Sequence, residues 1–390
     1  MRRLTPIVIM LAIASYAYAS LETMIPTPQE VEALDVTVPV AGAAILLMDD
    51  IPQAQIAADE INARIGELGG EPLPVGDEGV GPRIVLSVGE DAPDREQGYA
   101  ISYDGQRVFR LVGHDAVGML YAAVTFRQML DVADGQVVIR AANVRDWPDF
   151  PLRNLGGPFD ESHRRYYYAM RDAARDGDAE GLREYGDLHV QYTQRYIDWL
   201  LRHKINMMTP LMPTFDDYSV VTEGERAVLR RITDYARARG ITSEVRANIS
   251  IGHYPEDADN PDFADVAFHR SHNRYFCWSR LSYHRAKAQA IADVMRDCGI
   301  DALYLHDVDG GSWRNPALWE DRCALCRETY GDDHAKADQV VFGIYYDAIR
   351  KAVPDSVFGA VIYPYNPSHL DADDIEADLR SEMGDVPGVR

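Results

Sequence analysis

The stretch Asp301-Ala-Leu-Tyr-Leu-His-Asp-Val-Asp-Gly-Gly311 runs from apolar residues straight into His306, Asp307 and Asp309, then into two glycines that permit a sharp turn. Carboxyl groups this close can divide labour, one kept protonated as a general acid and the other ionised, which is what cleavage of a glycosidic bond requires. The same side chains can instead grip sugar hydroxyls or brace a loop. Glu244 is a third carboxylate candidate, on the apolar run 241–249. In an extended strand Glu244 and Arg246 share one face, as do Arg246 and Asn248. Buried together, Glu244 and Arg246 also fit an internal ion pair. Arg153 carries the same two readings, ligand contact or internal network, and Asp160 and Glu161 follow the run on which it sits.

Flat side chains supply the other half of a saccharide site, because the apolar face of a sugar ring stacks on an aromatic one. Trp278 follows the long segment 250–276, Trp313 follows the run 302–306, and Tyr363 ends the run 357–363. His269-x-x-His272 invites a metal, yet no carboxylate completes a zinc pattern at the proper spacing, so no metal site and no cofactor is expected. There is no GxxxxGK phosphate cradle, no GxGxxG opening a helix after the first strand, no HExxH and no GxSxG. Gly113-His114-Asp115 and Gly118 read as a helix cap and close packing. Cys323-x-x-Cys326 has a structural rather than a redox reading; a local disulfide, thiols and partial zinc ligands all remain open.

The elements that would position these groups form two regions. Apolar runs at 152–159, 205–211, 241–249, 302–306 and 357–363 alternate with helical periodicity at 189–203, 225–239, 283–297 and 337–352. Strands separated by helices of this length make βαβ units and a parallel sheet, whose functional groups collect at the C-terminal strand ends. The fold class is therefore α/β, with a (β/α)8-type barrel expected over 144–390 and five of its strands counted. A closed barrel needs about eight. Either the barrel is incomplete in this chain or the sheet is open; with 371–383 reading as the start of another helix, the expectation is the incomplete barrel.

Residues 20–143 form a smaller mixed α/β domain. Strands are predicted at 44–48, 83–88, 99–103, 107–112 and 136–140, with Asp104-Gly105 as a hairpin turn. Helices are predicted at 54–68 and from Ala116 to Met129. The polar, proline-punctuated segment 144–151 reads as the joint to the barrel, and Pro26-Thr27-Pro28 as an extended entry.

Residues 1–19 have a basic start, an apolar centre at 7–13 and Ala17-Tyr18-Ala19 before a cleavage point. That is the anatomy of a secretory signal, so export to the periplasm or the extracellular space is expected. No later stretch has the length and apolarity of a membrane span. The chain carries 39 basic against 62 acidic side chains, a net charge of −23, which repels nucleic acid and anionic lipid and suits a neutral or cationic ligand. The partner class expected is a carbohydrate, with no nucleic acid; the sequence assigns no oligomeric state.

Four segments, IPTPQEVE at 25–32, EQGYAISYDGQ at 96–106, GHDAVGMLYAAVTFRQML at 113–130 and RDWPDFPLRN at 145–154, resemble the sugar-processing proteins related to β-N-acetylhexosaminidases and α-glucuronidases. That resemblance implies a small zincin-like α/β domain without catalytic metal, joined to a (β/α)8 barrel. LHDVDGG at 305–311, CALC at 323–326, KAVPDSVFGAVIYPY at 351–365 and YFCWSRLSYHRAKA at 275–288 resemble a less characterised branch of barrel proteins thought to include glycoside hydrolases. The hexosaminidases carry an adjacent Asp-Glu after the fourth strand, the Glu as acid and the Asp positioning the substrate's acetamido group. This chain has Asp307-Val308-Asp309, so cleavage assisted by that group is not expected. The resemblance further maps the family's first-strand arginine onto Arg153. The function expected is hydrolysis of an oligo- or polysaccharide by carboxylate acid/base chemistry, with Asp307 and Asp309 ahead of Glu244. The alternative is a carbohydrate-binding or surface-associated protein that keeps the barrel without catalysis.

Overall fold

The structure is a computed structural model and describes residues 24–155, 161–209, 221–247, 267–270, 273–276, 278–279, 281–305, 319–320 and 322–360, with the backbone alone for 161–163, 267–270, 273–276 and 360. The chain divides into two compact units. The first comprises residues up to Asn154 together with Ile197–Asn206 and Ala238–Ile241. The second comprises Leu155–Tyr196, Met207–Arg237 and everything from Thr242 onward. The signal-like residues 1–19 lie outside the described residues.

The first unit is a seven-stranded sheet under two helices. Its strands are β1 (Glu30–Pro39), β2 (Ala44–Leu47), β3 (Arg83–Val88), β4 (Tyr99–Tyr103), β5 (Val108–Gly113), β6 (Leu130–Ala133) and β7 (Gln136–Asp146). Their order is β1-β7-β4-β5-β3-β2, with β6 beside β7. The β2, β3 and β5 neighbours are parallel and the remaining pairs antiparallel. Helix α1 (Pro52–Glu67) starts with proline at its first position, where no backbone donor is missed, and buries Ala54, Ala57, Ala58, Ile61 and Ile65. Helix α2 (Ala116–Met129) is buried on almost every side between α1 and the sheet, hence its nearly unbroken apolar sequence.

The Asp104-Gly105 turn closes the β4–β5 hairpin as expected. Asp104 Oδ1 accepts the backbone N–H groups of Gln106, Arg107 and Val108, and these bonds hold its carboxyl below the ordinary value. Gly113, His114, Asp115 and Gly118 act as a cap and a close approach. Asp115 accepts from Gly118 N at 2.7 Å and from Gln97 N at 2.7 Å. A Cβ on Gly118 would sit 2.2 Å from the Gly98 carbonyl oxygen.

Two elements differ from the sequence reading. β7 does not stop at Arg140 but continues to Asp146, so the proline-punctuated joint begins inside the sheet. Ala141, Ala142 and Val144 are buried, Ala142 and Val144 pair with β1 or β4, and polar Asn143 and Arg145 alternate outward. β1 was not anticipated as a strand. It lies at the sheet edge with most side chains exposed and a register shift between Ala33 and Thr37, and such a strand leaves little alternation in its sequence.

The second unit is built on a five-stranded sheet whose order β14-β13-β10-β9-β8 follows the chain. Here β8 is Asn154–Leu155, β9 Met207–Met208, β10 Thr242–Ala247, β13 Ala302–Leu305 and β14 Val357–Ala360. β9, β10, β13 and β14 run parallel, as the helical crossovers require. The crossovers are α3 (Glu161–Asp176), α4 (Ala179–Arg202), α5 (Glu223–Arg237), α6 (Leu281–Cys298), α7 (Ala324–Tyr330) and α8 (His334–Ala352). α5 packs on α6 and α6 on α8. The last turn of α4 is counted with the first unit.

Helix α3 is a further addition. Its sequence is crowded with charge, yet Tyr167, Met170 and Ala173 recur at helical spacing and are buried. The long segment 250–276 contains the antiparallel pair β11 (Ala267–Arg270) and β12 (Asn273–Phe276). Among the described residues no helix is long and apolar enough to cross a membrane.

Candidate functional site

The parallel sheet of the second unit sorts its side chains by register. Ser243, Val245 and Ala247 on β10, with Leu303 and Leu305 on β13, share one face and are fully buried. The opposite face carries Glu244 and Arg246, and their registered neighbours Ala302 and Tyr304. Tyr304 in turn stands beside Gly359 on β14. A Cβ on Gly359 would begin 3.5 Å from the Tyr304 ring, in ordinary contact with it.

Glu244 is 5% exposed, and its Oε1 accepts the Thr209 hydroxyl at 3.0 Å and Arg246 Nε at 3.2 Å. The Arg246 guanidinium carbon lies 5.5 Å from the centre of the Tyr304 ring. The arginine side chain is 37% exposed. A carboxylate thus holds a guanidinium on an aromatic ring, on the strand face that leads toward the C-terminal ends. This arrangement fixes the plane and direction of the guanidinium. The internal-pair reading of Glu244 and Arg246 is the one the geometry displays. Thr209, Tyr304 and Gly359 were not singled out from the sequence. Tyr304 stands two residues before His306 in an apolar run, and the strand register is what gives it a face.

Arg153 requires a correction. It precedes β8, at the N-terminal end of that strand, whereas ligand groups gather at the C-terminal ends. Its guanidinium is consumed inside the first unit. Nε donates to the Lys204 carbonyl at 2.7 Å, Nη1 to the Phe150 and Pro151 carbonyls, and Nη2 to Gln97 Oε1 at 2.6 Å and the Tyr121 hydroxyl at 3.0 Å. All five N–H donors therefore have acceptors, and Arg153 ties the chain down instead of meeting a ligand. Burial pushes the Tyr121 hydroxyl up to about 12, although Arg153 opposes the shift.

Trp278 requires another correction. It is fully buried, its indole N–H donates to Asp338 at 2.9 Å, and its ring meets Trp319 and His334 edge-on. A ring enclosed in this way packs the interior and offers no face to a sugar. Glu161 opens α3, described there by its backbone alone. Asp160, Asn248, His306, Asp307, Asp309, Trp313 and Tyr363 lie outside the described residues. Among the described residues no group of three His, Cys, Asp or Glu side chains converges in a way that could hold a metal ion.

Comparison with known proteins adds the following. Residues 22–147 match the model of glycosyl hydrolase family 20, domain 2. Solved structures of similar fold include an exo-β-N-acetylglucosaminidase from Vibrio harveyi in complex with N-acetylglucosamine, 12% identical with a TM-score of 0.60 over 88% of this chain and 55% of that one. They include the Flavobacterium johnsoniae chitobiase, 13% identical with a TM-score of 0.59 over 86% of this chain and 52% of that one. A mutant Streptomyces plicatus β-hexosaminidase in complex with its product is 15% identical, with a TM-score of 0.56 over 95% of this chain and 68% of that one. The chain spans about half the length of the first two. No curated protein matches it.

Proposed function

We infer that the chain is kin to glycosyl hydrolase family 20, from the match of residues 22–147 to that family's domain 2 and the likeness in fold over most of the chain. We propose on that premise that the protein is an exported glycoside hydrolase acting on an oligo- or polysaccharide. The supporting observation is the parallel sheet of the second unit, in which β13 leads in sequence directly into His306, Asp307 and Asp309. One of the two aspartates protonates the leaving oxygen while the other activates water or stabilises the positive charge that develops on the sugar ring. Glu244, engaged as an acceptor by Thr209 and Arg246, serves as a positioning residue: it fixes the Arg246 guanidinium beside the Tyr304 ring. Because Asp307-Val308-Asp309 has no glutamate beside either aspartate, the carboxylates and not a substrate acetamido group carry the reaction.

The test is turnover of a panel of aryl glycosides by the full-length chain and by Asp307→Asn and Asp309→Asn. Loss of about 100-fold or more in kcat in at least one variant is expected, the scale of a general acid–base contribution. Unchanged turnover in both removes these residues from catalysis. No turnover on any substrate, with glycan binding retained, would leave a binding protein. Export is checked separately by the mass of the secreted chain, expected to begin at Ser20.

A further inference from the structure

The first unit contains a cavity of about 180 Å³ that nothing in the proposed reaction uses. It lies at the turn Trp147-Pro-Asp-Phe-Pro151, and Gln29, Tyr121, Asp146, Trp147, Phe150 and Lys204 are among the residues that line it. We propose that this cavity is a second saccharide site, a non-catalytic pocket for a single sugar ring.

The turn is held rigid. Pro148 and Pro151 fix their own backbone angles. The Trp147 carbonyl accepts from Gln29 Nε2 at 3.3 Å, the Phe150 carbonyl from Arg153, and the Pro151 carbonyl from Asn206 Nδ2 at 2.8 Å and Gln97 Nε2 at 3.2 Å. On this braced backbone Phe150 stands 71% exposed. A large apolar ring held in water adds little to stability, and bracing it with side chains from three other segments adds nothing to its own burial. Such rigidity is what a stacking platform requires, because the ordering cost is met before the ligand arrives.

The lining suits a neutral polyol. Lys204 Nζ uses two donors on Asp146 Oδ2 at 2.7 Å and Tyr99 Oη at 2.8 Å, leaving the third of an ammonium's protons. The Tyr121 hydroxyl accepts from Arg153 and retains its own proton to donate. The formal charges of the lining balance, Asp146 and Asp149 against Lys204 and Arg153, with Asp146 paired to Lys204, so neither an anion nor a cation is selected. The volume corresponds to roughly six waters, which is a single ring and not a chain. The ligand class rests on the proposed function; the location does not.

The experiment titrates the full chain bearing Asp309→Asn with methyl β-glucopyranoside and, separately, with N-acetylglucosamine, by calorimetry and saturation-transfer NMR. The same titration is repeated with Phe150→Ala added, an exposed position whose truncation leaves the core intact, and with Trp147→Phe. Loss of one binding event, or at least a tenfold weakening of it, in the Phe150→Ala chain is the expected result. Equal affinity and stoichiometry with and without Phe150 overturns the proposal, as does absence of binding in the parent. Turnover of aryl glycosides by the parent chain and by Asp307→Asn and Asp309→Asn tests the proposed function independently, since the Phe150 comparison is made between chains that share the Asp309→Asn substitution.

Discussion

Replacing Lys204 with methionine removes one charge from a pair that is almost entirely enclosed. The Lys204 and Asp146 side chains are 7% and 10% exposed, and Nζ lies 2.7 Å from Oδ2. It also donates to the Tyr99 hydroxyl at 2.8 Å and lies 4.9 Å above that ring's centre. Methionine keeps the length of the side chain but leaves Asp146 charged, buried and short of its cation, a change that costs about 3–5 kcal/mol in buried pairs. Asp146 retains the Gln29 backbone N–H at 3.1 Å, which places the expected loss near the lower end, about 3 kcal/mol. At a urea slope of about 3 kcal/mol/M, the midpoint falls by about 1 M. Adding Asp146→Leu removes the stranded carboxylate, so the double variant is expected to recover to within about 1 kcal/mol of the parent. The assay is urea denaturation of the full chain followed by far-UV circular dichroism and by tryptophan fluorescence. A single variant within about 1 kcal/mol of the parent, or a double variant no better than the single, refutes the account of Lys204 as the counter-ion that makes Asp146 tolerable in the interior.

Gly118→Ala gains about 1 kcal/mol of helix propensity but drives a methyl to 2.2 Å from the Gly98 carbonyl oxygen, so a net loss of about 2–3 kcal/mol is expected in thermal melts. Glu244→Ala takes the acceptor from the buried Thr209 hydroxyl and from Arg246, costing about 2 kcal/mol, whereas Glu244→Gln costs less than half of that; denaturation midpoints distinguish them. Burial pushes the Cys298 thiol up to about 12. Below about pH 8.5 both folded and unfolded chains keep that proton; above it the unfolded chain ionises first, so stability falls as pH rises toward 12. Cys298→Ala is expected to flatten that alkaline fall, and iodoacetamide at pH 8 should leave Cys298 unmodified until urea unfolds the chain.

Legibility followed the burial of each element. The helices and inner strands of the first unit were readable because α1 buries a stripe at helical spacing and Asp104-Gly105 has the chemistry of a tight turn. The edge strand β1 was not, since exposure on both faces removes the alternation that marks a strand. Helix α3 was hidden by its charge, with the buried Tyr167, Met170 and Ala173 too sparse among arginines and aspartates to declare a period. For the site, the pairing of Glu244 with Arg246 followed from their spacing alone. Tyr304 and Thr209 did not, because which residue of a neighbouring strand stands beside Arg246 depends on register, and register is set by packing at a distance. Trp278 and Arg153 show the opposite failure. A tryptophan after a long loop and an arginine on a first strand have the right chemistry for a sugar, but Asp338 and the carbonyls of 150, 151 and 204 had already claimed their donors.

The carboxylates buried in the first unit find their cations far along the chain. Glu60 meets Arg127 at 2.9 Å within residues 22–147, but also Arg202 at 2.9 Å, and Asp146 depends on Lys204. Severing the polypeptide after Asn154 would strip away two of these counter-charges and the Asn206 amide that braces the turn at Pro151. Residues 22–147, which match the glycosyl hydrolase family 20 domain, are thus not a portable module: grafted elsewhere, they would carry Asp146 without Lys204, and Glu60 with Arg127 but without Arg202.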